Sequence, residues 1–99
     1  MKINFDQHVL DLDGKDIVDP ETKNIYTLKS VSLNAIYAMI EDDRGVAGDV
    51  LFKRYELCRR INKGGEQELD PEELTLIRNR LWKVYMVRVA GPAYEMLKG

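Results

Sequence analysis

Cysteine is nearly missing from this chain, and with it the chemistry that needs paired thiols. Cys58 is the sole cysteine in 99 residues, so an intramolecular disulfide is impossible and a reducing cytoplasm is the expected setting. Histidine is equally scarce. His8 stands alone, and one histidine with one remote cysteine falls short of a zinc ligand set. Long apolar runs are absent too: no stretch approaches the roughly 18 residues of a membrane span. Met1–Leu10 contains Asp6 and lacks a continuous apolar core, so no signal peptide is expected. Charge of one sign is also lacking, since the formal net charge of −2 is too small to imply a polyanionic partner by itself.

What remains is the composition of a globular protein, 44% apolar and 32% charged. At this length residues 1–99 are expected to form one domain around one core. The charge is unevenly placed. Residues 1–49 hold ten acids and five bases, whereas residues 50–99 hold seven acids and ten bases, a split that predicts a two-sided surface unless folding intermixes the halves.

The clearest local structure runs from Leu69 to Tyr85. Asp70 suits a helix N-cap, Pro71 the first helical position, and Glu73 the capping-box acid that returns to the cap amide. Leu74, Ile77, Leu81, Val84 and Tyr85 then recur at helical spacing. Upstream, a helix capped by Thr27 or Ser30 is predicted to continue to about Glu41, with an apolar face broad enough for a central, largely buried position. The cluster Glu41-Asp42-Asp43 reads as a solvated loop. A further helix is predicted from a cap at Asp49 to Asn62 or Lys63, burying Val50, Leu51, Tyr55, Leu57, Cys58 and Ile61. Gly64-Gly65 can supply its left-handed C-terminal residue. A short last helix is predicted from Pro92 to about Lys98, after an interruption at Gly91-Pro92.

Ahead of the helices, Val9–Val18 places apolar segments around Asp13-Gly14. That pair favours a two-residue type I′ hairpin turn with positive φ at both positions. Lys2–Phe5 alternates and predicts a further strand, and Ile25-Tyr26 another short extended piece. The expected fold is therefore α+β: an N-terminal β-hairpin or small antiparallel sheet packed on three to four helices.

No motif announces catalysis, a metal or a cofactor. Asp11, Asp13, Gly14 and Asp16 fail the calcium-loop pattern, since the glycine comes too early and the terminal glutamate is missing. No Lys-Ser or Lys-Thr pair follows Gly64-Gly65, so no phosphate cradle is expected. Cys58 lies inside an amphipathic helix and reads as a small buried apolar side chain, although Arg59 and Arg60 leave open a lowered pKa.

Two surfaces stand as interaction candidates. Arg78, Trp82, Tyr85 and Arg88 combine residue types enriched at protein-binding hot spots. Trp82 lies one position off the main apolar stripe, which leaves both core packing and partial exposure open. Exposure of Tyr94, Met96 and Leu97 on the last helix would favour a homodimer or another protein partner. The other candidate is basic: Arg54, Arg59, Arg60, Lys63 and Arg78 lie on two consecutive helices that imitate a helix-turn-helix. Against nucleic acid stand Glu66, Glu68, Asp70, Glu72 and Glu73, crowded at the start of the second helix, where phosphates would approach.

The order D-G-K-D-I, T-L-K-S-V-S-L-N-A-I, E-L-D-P-E-E-L-T-L-I-R-N-R-L and V-A-G-P-A-Y-E-M-L resembles a group of small proteins encoded by tailed bacteriophages and prophages. The resemblance covers most of the chain and carries no catalytic residues. It implies a phage or prophage origin and the cytoplasm of a bacterial host. The reading is a non-enzymatic accessory protein acting through contact with a protein, in a role such as modulating a host factor. A nucleic-acid-binding module and a virion assembly or tail component are the alternatives.

Overall fold

The computed structural model describes residues 1–98; Gly99, the last residue of the expected 1–99 domain, lies outside them. Strand β1 (Lys2–Asn4) is followed by helices α1 (Leu28–Tyr37) and α2 (Gly48–Asn62), strand β2 (Glu66–Glu68), and helices α3 (Pro71–Val84) and α4 (Val87–Lys98). A 3-10 turn at Glu41–Asp43 joins α1 to α2. This is the expected α+β arrangement, with a small antiparallel sheet laid on four helices.

The two strands pair antiparallel with Lys2 opposite Glu68, Ile3 opposite Gln67 and Asn4 opposite Glu66. Ile3 points into the core while its neighbours face out, as the two-residue period of a strand requires. The pairing of β1 with β2 is made possible by Gly64 and Gly65, both at positive φ. Gly64 at φ 73° takes a backbone conformation that residues with a side chain rarely adopt, which is what favours glycine at this reversal.

The segment between β1 and α1 is a chain of single bridges rather than a regular hairpin. Leu10 pairs with Asp16, Val18 with Ile25 and His8 with Thr27. The expected type I′ turn does not form, because only Gly14 takes positive φ. The Gly14 amide donates to the Asp11 carbonyl and the Asp11 amide to the Lys15 carbonyl. Asp11 Oδ1 accepts from the Asp13 and Lys15 amides at 2.9 and 3.0 Å. This is a three-residue hairpin loop with glycine in the left-handed position, which Asp11 locks from within. Phe5, Val9 and Ile17 descend from the segment into the core.

Helix α1 is capped by Thr27 and Ser30 in a reciprocal box. It buries Leu28, Val31, Ser32, Ala35 and Ile36 and stops at Tyr37, four residues short of the expected end. The reason lies on α3. Arg80 is only 3% exposed and donates to the carbonyls of Ala35, Ile36 and Ala38, taking acceptors that a longer helix would use. Asp43, at the end of the 3-10 turn, accepts from Arg80, from Arg54 on α2 and from the Ile40 amide. The acidic cluster is thus not wholly a solvated loop, because the Asp43 side chain is largely withdrawn from solvent.

Helix α2 begins at Gly48 after Ala47, which makes no side-chain cap, so the expected Asp49 cap is instead a residue of the first turn. Only Leu57, Cys58 and Ile61 are buried; Val50, Leu51 and Tyr55, expected inside, are exposed. Helix α3 carries the full Asp70–Glu73 capping box with Pro71 at its start. Helix α4 starts at Val87, five residues before the expected Pro92, and runs through Gly91-Pro92. Burial of Ala90, Ala93 and Leu97 along one face offsets the single backbone bond that proline removes. The core joins α1 to α3, α2 and α4, and α3 to α4.

Candidate protein-contact surface

Leu81 faces the core, and the next residue, Trp82, turns outward. Trp82 is 46% exposed and its indole leans on Tyr94 of α4, with ring centroids 5.4 Å apart and planes inclined by 44°. Arg78, one turn before Trp82, sets its guanidinium 5.9 Å from the same Tyr94 ring, within cation–π range. Three hot-spot residue types are therefore held in one cluster by two packed helices. Met86 and Val87, at the junction of α3 and α4, are highly exposed.

The other two expected contact residues sit apart from this cluster. Tyr85 is half-buried; its hydroxyl accepts from Asn34 Nδ2 at 3.0 Å and its ring meets Tyr26 edge-on at 5.8 Å. It ties α3 to α1 and to the segment before it. Arg88 is exposed on α4 and lines an open groove with Leu10, Leu12 and Val87. Asp11 borders that groove, and its carboxyl is held below the usual range, first by the Lys15 amide and to a lesser degree by Arg88. Among the described residues neither Arg78 nor Arg88 has a carboxylate ion-pair partner. Sequence reasoning missed Tyr94 as a member of the cluster; the available signal was its place on a short helix after the Trp82 helix. Of the three residues of the last helix, Leu97 is fully buried, Met96 is partly buried and Tyr94 is half-buried in the Trp82 cluster.

The basic residues do not form a free stripe. Arg54 is bound to Asp43 at 2.7 Å, and Arg60 is paired with Glu73 while donating to the Glu68 carbonyl. Arg59 lies 6.0 Å over the Tyr55 ring. Lys63 is exposed at the end of α2. Two of the five expected phosphate contacts are thus neutralised within the chain, and counterion release loses those charges.

The reactive groups are likewise engaged or remote. Cys58 is buried, and desolvation raises its thiol pKa even though Tyr37 and Arg80 act in the opposite direction, so neighbouring arginines do not activate it. His8 Nδ1 lies 2.9 Å from Asp16 Oδ1 at the surface. Among the described residues no three His, Cys, Asp or Glu side chains converge as a metal set, and no helix is long and apolar enough to cross a membrane.

Compared with known proteins, the chain matches no family model, no curated protein and no solved structure.

Proposed function

We propose that this chain is a non-enzymatic accessory protein that works by binding another protein through Arg78, Trp82 and Tyr94. The observation that carries the reading is the half-exposed Trp82, fixed against Tyr94 beside Arg78. A free tryptophan at a surface gains little from partial burial, whereas one held in place loses little entropy on docking and supplies a large apolar area. The cluster is cationic at Arg78, which has no ion-pair partner among the described residues. The partner is therefore a protein segment that presents an apolar side chain next to an acidic one. A phage or prophage origin rests on the sequence resemblance and is part of the same proposal, as is modulation of a host factor in the bacterial cytoplasm. Nucleic acid is disfavoured because Arg54 and Arg60 are already paired with acids.

Capture from nuclease-treated bacterial lysate tests the reading when three baits are run together: the wild-type chain, Trp82→Ala and Arg78→Glu. The expected result is a protein retained by the wild type and lost from both variants, with their far-UV circular dichroism unchanged. Proteins captured from untreated lysate but absent after nuclease treatment, or proteins retained equally by all three baits, overturn it.

A further inference from the structure

The outer face of α2 carries a second apolar surface, separate from the Trp82 cluster. Gly48, Leu51, Phe52, Tyr55 and Arg59 recur at steps of three and four residues and share one side of the helix. Phe52 is 58% exposed, and its ring packs on Tyr55 at 6.0 Å. Tyr37 at the end of α1 and Met39 just beyond it extend the surface across a shallow cleft shared with Leu51, Tyr55 and Cys58. The opposite side of α2 buries Leu57 and Ile61, and Cys58 is buried at the stripe's edge. A run of large exposed apolar side chains on a helix that is already anchored marks an interface.

Charge identifies the occupant. Helix α2 carries Asp49 in its first turn, Arg59 in its last turn and Lys63 just past its end, and none of the three is in an intrachain ion pair among the described residues. Asp49, Glu56 and Lys63 are spaced by seven and line one flank of the apolar stripe. Such a helix complements itself when two copies lie antiparallel, because the acidic start of each then meets the basic end of the other. The helix dipoles oppose favourably in the same arrangement.

We infer that α2 pairs with α2 of a second copy of this chain about a two-fold axis near Tyr55 and Glu56. In that register Phe52 faces Arg59 of the second copy, Tyr55 faces its own counterpart, and Asp49 lies beside Lys63 of the second copy. The two Glu56 carboxylates approach the axis within one helical turn of both Arg59 guanidinium groups, which offsets their repulsion. The contact is isologous, so it closes at two chains. The dimer displays the Trp82 surface twice, and the inference does not depend on what binds there.

Sedimentation equilibrium of the full chain, from micromolar to submillimolar concentration, tests it. A mass near twice the 11.4 kDa of one chain is expected. Phe52→Glu is expected to give a monomer of unchanged helicity. Asp49→Lys and Lys63→Asp, both at exposed positions, should each weaken the dimer about tenfold, whereas the double variant should recover most of the wild-type affinity. A monomer throughout the range overturns the inference, as does a dimer that survives Phe52→Glu. Failure of the double variant to recover overturns the antiparallel register, and this arm decides the matter even if Phe52→Glu does not fold.

Discussion

Arg80 and Asp43 meet side chain to side chain, Nη1 to Oδ1 at 2.7 Å and Nη2 to Oδ2 at 3.1 Å. Their side chains are 4% and 8% exposed. The pair lies where three elements converge: Arg80 from α3 closes the carbonyl end of α1, and Asp43 holds Arg54 of α2. Removing either partner leaves a buried charge without its counterion. Asp43→Ala is therefore expected to destabilise the protein by about 3 to 5 kcal/mol, measured by urea unfolding. A loss under about 1 kcal/mol would mean that the charges find water instead.

The same pair sets the acid limit of the fold. The Arg80 guanidinium, with smaller help from the Ile40 amide and Arg54, holds the Asp43 carboxyl well below the usual carboxylate range. A depressed folded-state pKa contributes stability that is complete above the unfolded value of about 3.9 and fades as pH falls towards the folded value. The urea midpoint is expected to fall below about pH 4, and Asp43→Asn should flatten that part of the profile while lowering stability at neutral pH. An equally steep acid slope in Asp43→Asn would assign the effect to other carboxylates.

Cys58 provides a probe of opening. Burial raises its thiol pKa, and it is only 1% exposed, so attack by a thiol reagent at mildly alkaline pH must wait for the core to open. Labelling is expected to be slow in buffer and immediate in urea. Rapid labelling of the folded chain would contradict the placement of α2 on α1.

Adjacent residues on α3 should respond in opposite ways. Leu81 is fully buried, and Leu81→Ala is expected to cost about 2 to 5 kcal/mol of stability. Trp82→Ala removes a larger side chain, yet it should cost only about 1 kcal/mol, the worth of its stacking on Tyr94. Unfolding of Trp82→Ala would make Trp82 a core residue and remove the anchor of the proposed surface.

Much of this architecture was legible because local signals coincide with tertiary ones. In α3 the cap, the proline and the apolar period all point to the same helix, and the structure places it at Pro71–Val84. Strand β2 was not legible: Glu66-Gln67-Glu68 offers no apolar alternation, and it is a strand because the glycine reversal lays it on β1. Arg80 was hidden among the other bases of α3, Arg78 and Lys83, which lie nearer the surface. Its signal was the three-residue step from Ile77, which puts it on the apolar side of α3. The exposed half of α2 misled for the opposite reason, since its apolar residues are real but no element among the described residues covers them. Of the expected contact set, Arg78 and Trp82 come together, while Tyr85 and Arg88 answer to Asn34 and to the groove beside Asp11.

Trp82 is the sole tryptophan, which makes its fluorescence the most direct test of the central claim. Acrylamide quenching is to be measured on the free chain and on its complex with the protein that the Trp82→Ala bait fails to retain. The account predicts efficient quenching in the free chain and strong protection with a blue-shifted emission in the complex. Identical quenching and emission in the two states would place Trp82 outside the contact and contradict the account.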